Sequence, residues 1–340
     1  MSGLRENASF GYNLRGLNIP IRRPKFMSHS PEPFHNKTLA LFLTAFINKA
    51  GRLRSGWRHL FFVAAFVALY VAIAGLLGDR YRLVMLGVAT VLGWLCGWLF
   101  EGLPARALGW TLHRGWLRDL LLGSIFGVAS LLLATGIAML FGGFRFAASP
   151  LNLTMLTAML KAAMLFVSAA AAEEAVFRGY QLQTVMRSWP FLVALLPSSA
   201  FFALVHLANP NANAPALIFV NTSLAGVWLA VAYYRTRSLW LALGLHWAWN
   251  WATGALLGLP VSGVIRHSGS SPLRATDVGP AWLTGGAYGI EGGAACTVAL
   301  ILSTIFIWRT RLFKPCAELK QFTDGENPAP EKSKPQEINV

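Results

Sequence analysis

The chain predicts an all-α, polytopic membrane protein with about eight transmembrane helices around a polar intramembrane cavity. Three observations carry this expectation. Of 340 residues, 55% are hydrophobic and only 13% charged, with a mean hydropathy of +0.50; an ordinary soluble domain carries about 25% charged residues. The missing charge leaves long apolar runs of the length a bilayer crossing needs, ~20 residues. The alternating stretches of about ten residues that a transmembrane barrel requires do not occur.

Residues 1–57 are polar and basic, with Arg22, Arg23, Lys25, Lys49, Arg52 and Arg54. Within them Leu39–Ile47 is apolar but too short to span. It is followed by basic residues rather than a small-residue cleavage site, which favours a helix lying in the membrane interface over a signal peptide. Apolar spans are expected near 60–77, 83–100, 119–141, 153–180, 191–208, 215–233, 238–258 and 292–309. The fourth is longer than one crossing. Residues 58–310 thus form the transmembrane domain. The stretch 311–340, rich in Pro, Lys and Glu beyond about residue 317, is expected to be a disordered tail. No internal repeat is obvious.

Net charge is +15, from 29 Lys+Arg against 14 Asp+Glu. Much of the excess lies in the N-terminal segment and at span ends, where the positive-inside rule and anionic lipid account for it. With the N-terminus inside, Arg106, Arg114, Arg118, Arg187, Arg235, Arg237, Arg309, Arg311 and Lys314 fall on the inner side, which places both termini in the cytoplasm. Basic and aromatic residues are not interleaved as a single-stranded nucleic-acid site would need, so no nucleic-acid partner is expected. The three cysteines, Cys96, Cys296 and Cys316, lack metal-type or disulfide-framework spacing.

Polar groups inside apolar helices are costly and are functional candidates by default. In AAAAEEAVFRG, Glu174 and Arg178 are i,i+4 neighbours suited to a salt bridge, while Glu173 points about 140° away from Arg178 and is left to work as a base. Ordinary helix-end charges snorkelling to the interface would give the same local pattern. His206 closes PSSAFFALVHLANP with Phe202 four residues before it; a capping or packing role is the plain alternative. His246 and Asn250, in GLHWAWNWA, share one face inside a span, among tryptophans that would also suit an interface belt. Together the groups supply a general base, an assisting imidazole and oxyanion donors, as hydrolysis of an amide requires. They are expected to converge on one cavity. No Ser, Cys or Thr sits in a nucleophile setting and no HExxH helix is present.

These residues resemble the motifs of the CPBP family, the CAAX-protease and bacteriocin-processing (Abi) intramembrane peptidases. EExxxR reads Glu173-Glu174-Ala-Val-Phe-Arg178, FxxxH reads Phe202-Ala-Leu-Val-His206, and HxxxN reads His246-Trp-Ala-Trp-Asn250. RLRSGWR, GWLRDLLLGSIFG and LTGGAYGIEGG also look like segments of bacterial members, so the resemblance covers roughly 51–309. The last of these lacks the GK[ST] of a P-loop, and a tight re-entrant turn explains its glycines more simply.

The resemblance implies a bacterial cytoplasmic-membrane endopeptidase acting on a peptide or protein substrate presented near the bilayer. Glu173 and His206 would activate a water, His246 and Asn250 would bind the oxyanion, and Glu174, Arg178 and Phe202 would support them. It implies no required cofactor. A zinc peptidase using His206, His246 and Glu173 is the nearest alternative, although Asn250 would then have no role. A non-proteolytic scaffold or immunity protein of the same fold, and a transporter, are further readings. Buried charges weigh against the first, and the lack of repeat symmetry against the second. One tension remains along the helices. A fifth span starting at Phe191 puts His206 ~22 Å along it, whereas His246 is ~10 Å along its own. Either that helix starts later, near Pro197, or the site lies nearer mid-bilayer.

Overall fold

The computed structural model describes residues 43–49, 51–77, 81–264 and 271–325. The expectation for residues 1–42, including the start of the interfacial helix, lies outside the described residues. Phe46–Val340 form one compact unit, to which the helices named here belong: α1 (Ser55–Leu77), α2 (Tyr81–Glu101), α3 (Trp116–Leu140) and α4 (Leu153–Glu174), then α5 (Gln181–Met186), α6 (Phe191–His206), α7 (Pro215–Thr236) and α8 (Leu239–Trp251). Short α9 (Ala281–Thr284), apolar α10 (Ala294–Arg309) and short α11 (Ala317–Lys320) complete the order.

Among the described residues, five helical stretches are long and apolar enough to cross a membrane: Ser55–Ile73, Val84–Glu101, Trp116–Leu140, Leu153–Met186 and Pro215–Thr236. Phe191–His206 and Ala294–Arg309 are shorter apolar helices. The outward faces of these helices stay apolar, with Leu60 56%, Ile125 61%, Leu160 65%, Leu192 65% and Leu302 50% exposed. In water such a surface would aggregate; against lipid it is solvated. The fold is that of a polytopic membrane protein.

Close backbone contact holds α8 in place. Gly123 and Gly127, four residues apart on α3, face the Leu241 and Leu245 carbonyls of α8, and Gly244 faces the Leu120 carbonyl in return. A Cβ at any of the three would collide with the opposing backbone. Small residues at this spacing let two helices approach where lipid supplies no hydrophobic drive between them. Trp247 Nε1 donates to Ser124 Oγ across the same seam (3.0 Å). The contact therefore sets the depth and rotation of the helix that carries His246 and Asn250.

α4 does not stop at Glu174. A π turn over Ala175–Tyr180, with Gly179 at ψ −131°, leads into α5. The segment is thus longer than one crossing, as the sequence suggests, but broken where Glu173, Glu174 and Arg178 lie. α6 runs unbroken from Phe191 with Pro197 inside it, so the later start near Pro197 is not what the structure has.

Three features depart from expectation, the first being that, among the described residues, the five long stretches and two shorter apolar helices stand where about eight crossings are expected. β1 (Phe144–Ala148) pairs antiparallel with β2 (Leu273–Asp277), a ribbon joining segments more than 120 residues apart that local periodicity does not announce. Of the C-terminal stretch expected to be loose from 311, residues 311–325 are described and pack against the bundle. Phe313, Leu319 and Thr323 are buried, Cys316 N–H donates to the Thr236 carbonyl (2.8 Å), and Arg237 pairs with Asp324 (2.9 Å). Arg187 donates to the Phe322 carbonyl (3.1 Å) while gripping Glu101, which Arg58 also contacts. Buried guanidiniums recruit the tail, and its polar composition does not reveal this.

Candidate active site

The π turn at the end of α4 presents two adjacent carboxylates in different settings. Glu174 is fully buried. Its Oε1 lies 3.2 Å from Arg178 Nη1 and 2.8 Å from His246 Nδ1. Arg178, also fully buried, donates its other nitrogen to the Gly226 carbonyl (3.2 Å) and lays its guanidinium 4.6 Å above the Phe202 ring. A buried charge persists only if paired and hydrogen-bonded, and here each charged group has a partner on another helix.

Glu173 has no such counter-ion. Its Oε2 is buried without a hydrogen-bond partner, 3.6 Å from His246 Nε2 and 3.9 Å from His206 Nε2. Both separations exceed a hydrogen bond but fall within reach of a single bridging water.

The ring nitrogens follow from their partners. His206 Nδ1 is 2.7 Å from the Phe202 carbonyl, which only accepts, so Nδ1 carries the hydrogen and a neutral ring keeps its lone pair on Nε2. The same reasoning applied to His246 Nδ1 against the Glu174 carboxylate leaves its Nε2 as the acceptor when the ring is neutral. Three acceptor atoms (Glu173 Oε2, His206 Nε2 and His246 Nε2) thus face a common corner. Such a corner calls for a hydrogen donor between them, or for a proton on one of the rings.

The corner opens on a cavity of about 610 Å³ lined by Glu173, His206, His246 and Asn250, well within the ~300–1,000 Å³ of ordinary ligand sites. Phe66, Tyr70, Met85 and Phe166 also line it and make much of its surface apolar. A smaller space of about 50 Å³ adjoins it, where Asn221, Ser262 and Glu291 meet His206, His246 and Asn250. The structure therefore brings all four expected chemical residues to one cavity. Glu174 and Arg178 lie behind it, and Phe202 packs between the Arg178 guanidinium and the His206 ring, 4.3 Å from the latter. Two imidazoles and a carboxylate are also a zinc donor set. Among the described residues no group of three or more His, Cys, Asp or Glu is disposed to hold a metal ion.

Ser262, Glu291 and Asn221 are not singled out by sequence patterns as site residues. The one sequence signal is the acidic residue of LTGGAYGIEGG, a segment whose glycines point to a turn rather than to chemistry.

Residues 155–252 match the model of a family described as type II CAAX prenyl endopeptidase Rce1-like. That stretch contains Glu173, Glu174, Arg178, Phe202, His206, His246 and Asn250. No curated protein matches the chain.

Proposed function

We propose that the chain is an integral-membrane endopeptidase of the CAAX-protease type, hydrolysing a peptide bond presented near the bilayer. The observation that carries this reading is the convergence of His206 and His246 on the unpartnered Glu173 oxygen inside the cavity. The family match over the same helices supports it at the level of class.

In the proposed reaction a water sits between Glu173 Oε2 and His206 Nε2. Glu173 takes one proton as the water oxygen bonds to the substrate carbonyl carbon. The carbonyl oxygen becomes an oxyanion, stabilised by the Asn250 amide and His246 Nε2. For Nε2 to donate while Nδ1–H is held by Glu174, the His246 ring must be imidazolium. Glu174 and Glu173, on its two sides, supply the balancing charge. The tetrahedral intermediate then expels the amine, which takes the proton from Glu173, and the carboxylic acid so formed passes its remaining water-derived proton to the amine, leaving a new carboxylate and a new ammonium terminus.

The test is proteolysis of a diverse peptide library by the purified protein in detergent, comparing wild type with Glu173→Ala. Cleavage by the wild type and none by the variant is expected; equal cleavage by both would remove Glu173 from the chemistry. Activity that survives exhaustive chelation separates the glutamate mechanism from zinc held by His206, His246 and Glu173.

A further inference from the structure

Behind the oxyanion pair, one carboxylate ties together two walls of the cavity. Glu291 Oε1 accepts from the Trp249 indole N–H (2.9 Å), and Trp249 immediately precedes Asn250 on α8. Glu291 Oε2 accepts from both the backbone N–H and the hydroxyl of Ser262 (2.6 and 2.7 Å). Ser262 lines the larger cavity together with Asn250 and sits at φ +48°, a left-handed conformation that a non-glycine residue holds only when its surroundings impose it.

The carboxylate itself is delivered rigidly. Asn221 donates to the Glu291 and Gly293 carbonyls (2.9 Å each) and accepts from Thr297 (2.5 Å), fixing the turn to α7 and α10. The glycines of the segment are required for its path. Gly285 and Gly289 have φ +84° and +92°, and a Cβ at Gly289 would strike the Pro260 carbonyl. Further bonds lock the Ser262 loop: Gly263 N–H to the Tyr288 carbonyl (2.9 Å) and Asn211 Nδ2 to the Gly263 carbonyl (2.8 Å). Tyr288 is buried beside Ser262. Burial, with Glu291 nearby, pushes its phenol up, so it remains a neutral hydroxyl.

We propose that Glu291 is a positioning residue of the peptidase site, one that sets the spacing between Asn250 and the Ser262 wall by engaging Trp249 and Ser262 with its two oxygens. The proposal rests on the functional reading above for its kinetic consequence, but the clamp is a property of the fold alone. A glutamine is nearly the same shape yet has one acceptor oxygen. It can satisfy Trp249 or the Ser262 N–H, and its amide NH₂ must then oppose a donor on the other side. Removing an acceptor in this way leaves a polar group unpaired at the site of a strained loop.

Two measurements on the full chain in detergent micelles decide the matter. Hydrogen–deuterium exchange of the peptide covering residues 259–264 reads the clamp without any activity: Glu291→Gln should speed exchange at the Ser262 amide by about tenfold or more, whereas unchanged protection overturns the clamp. Peptidase kinetics read its consequence. Glu291→Gln should lower kcat by ~10–100-fold, the scale of a misplacement of about 1 Å, and should lose little further in an Asn250→Ala background, because the effect passes through Asn250. An equal loss in both backgrounds overturns the positioning role, since a merely destabilised protein would lose activity whatever stands at 250. Trp249→Phe removes the indole donor and with it one arm of the clamp, so it should lower kcat by itself, and adding Glu291→Gln to it should cost less than Glu291→Gln costs in the wild type; an equal further loss counts against the proposal. A wild-type protein without Glu173-dependent cleavage would instead refute the functional reading, and exchange would still decide the clamp.

Discussion

His246 is held between two adjacent glutamates, with Nδ1 2.8 Å from Glu174 Oε1 and Nε2 3.6 Å from Glu173 Oε2. The nearer contact is a hydrogen bond to a fully buried carboxylate already paired with Arg178. The farther one leaves room for another group. One carboxylate thus orients the ring while the other faces the space in which chemistry would occur, a division comparable to the orienting and reacting partners of a hydrolase triad.

This arrangement separates the two glutamates in stability. Glu174→Gln leaves Arg178 buried without its ionic partner and should cost about 3–5 kcal/mol, as breaking a buried pair does. Thermal unfolding in detergent should show a large fall in Tm for Glu174→Gln and little change for Glu173→Gln, which should lose turnover instead. Equal falls in Tm would contradict the division.

Asn250→Ala should lower kcat by ~10²–10³ with little change in KM, the usual effect of removing one oxyanion donor. His246→Ala should lower kcat as well. The double variant should lose less than the product of the single losses, because both groups serve one oxygen. A rise in KM alone for Asn250→Ala would make it a substrate-positioning group.

The α3–α8 seam links packing to the site. Gly127→Ala places a methyl against the Leu245 carbonyl, one residue from His246. Overpacking of this kind costs about 1–3 kcal/mol, and the displaced helix should carry His246 away from Glu173. Reduced Tm together with reduced kcat is expected, while Gly136→Ala, on the same helix with open space around its Cβ position, should lower neither. Equal tolerance at both positions would show that the seam is looser than the backbone contacts imply.

Truncation tests the C-terminal strap. Ending the chain after Lys314 removes the Phe322 carbonyl from Arg187 and Asp324 from Arg237, and should lower Tm. Ending it after Gly325 keeps both contacts and should give a higher Tm than ending it after Lys314. Asp324→Ala alone should matter little, because that carboxylate is 43% exposed and an exposed pair contributes ~0–1 kcal/mol.

Sequence alone determined the class of the fold and pointed to six polar residues within its apolar helices. Apolar runs must approach the bilayer thickness to satisfy their backbones in lipid, and a carboxylate or imidazole inside such a run is costly enough to be a functional candidate by default. Glu173, Glu174, Arg178, His206, His246 and Asn250 are therefore visible one helix at a time, and the Glu174–Arg178 pair follows from 3.6-residue periodicity. What only the tertiary structure decided is how the helices meet. The bond from His246 to Glu174 joins residues 72 apart, and the glycine seam that permits it depends on which faces of α3 and α8 are opposed. β1 and β2, the tail on Arg187 and Arg237, and Glu291 between Trp249 and Ser262 are likewise contacts between distant segments. Helical periodicity records which face of one helix is polar; the partner across the gap is set by the packing of the whole bundle.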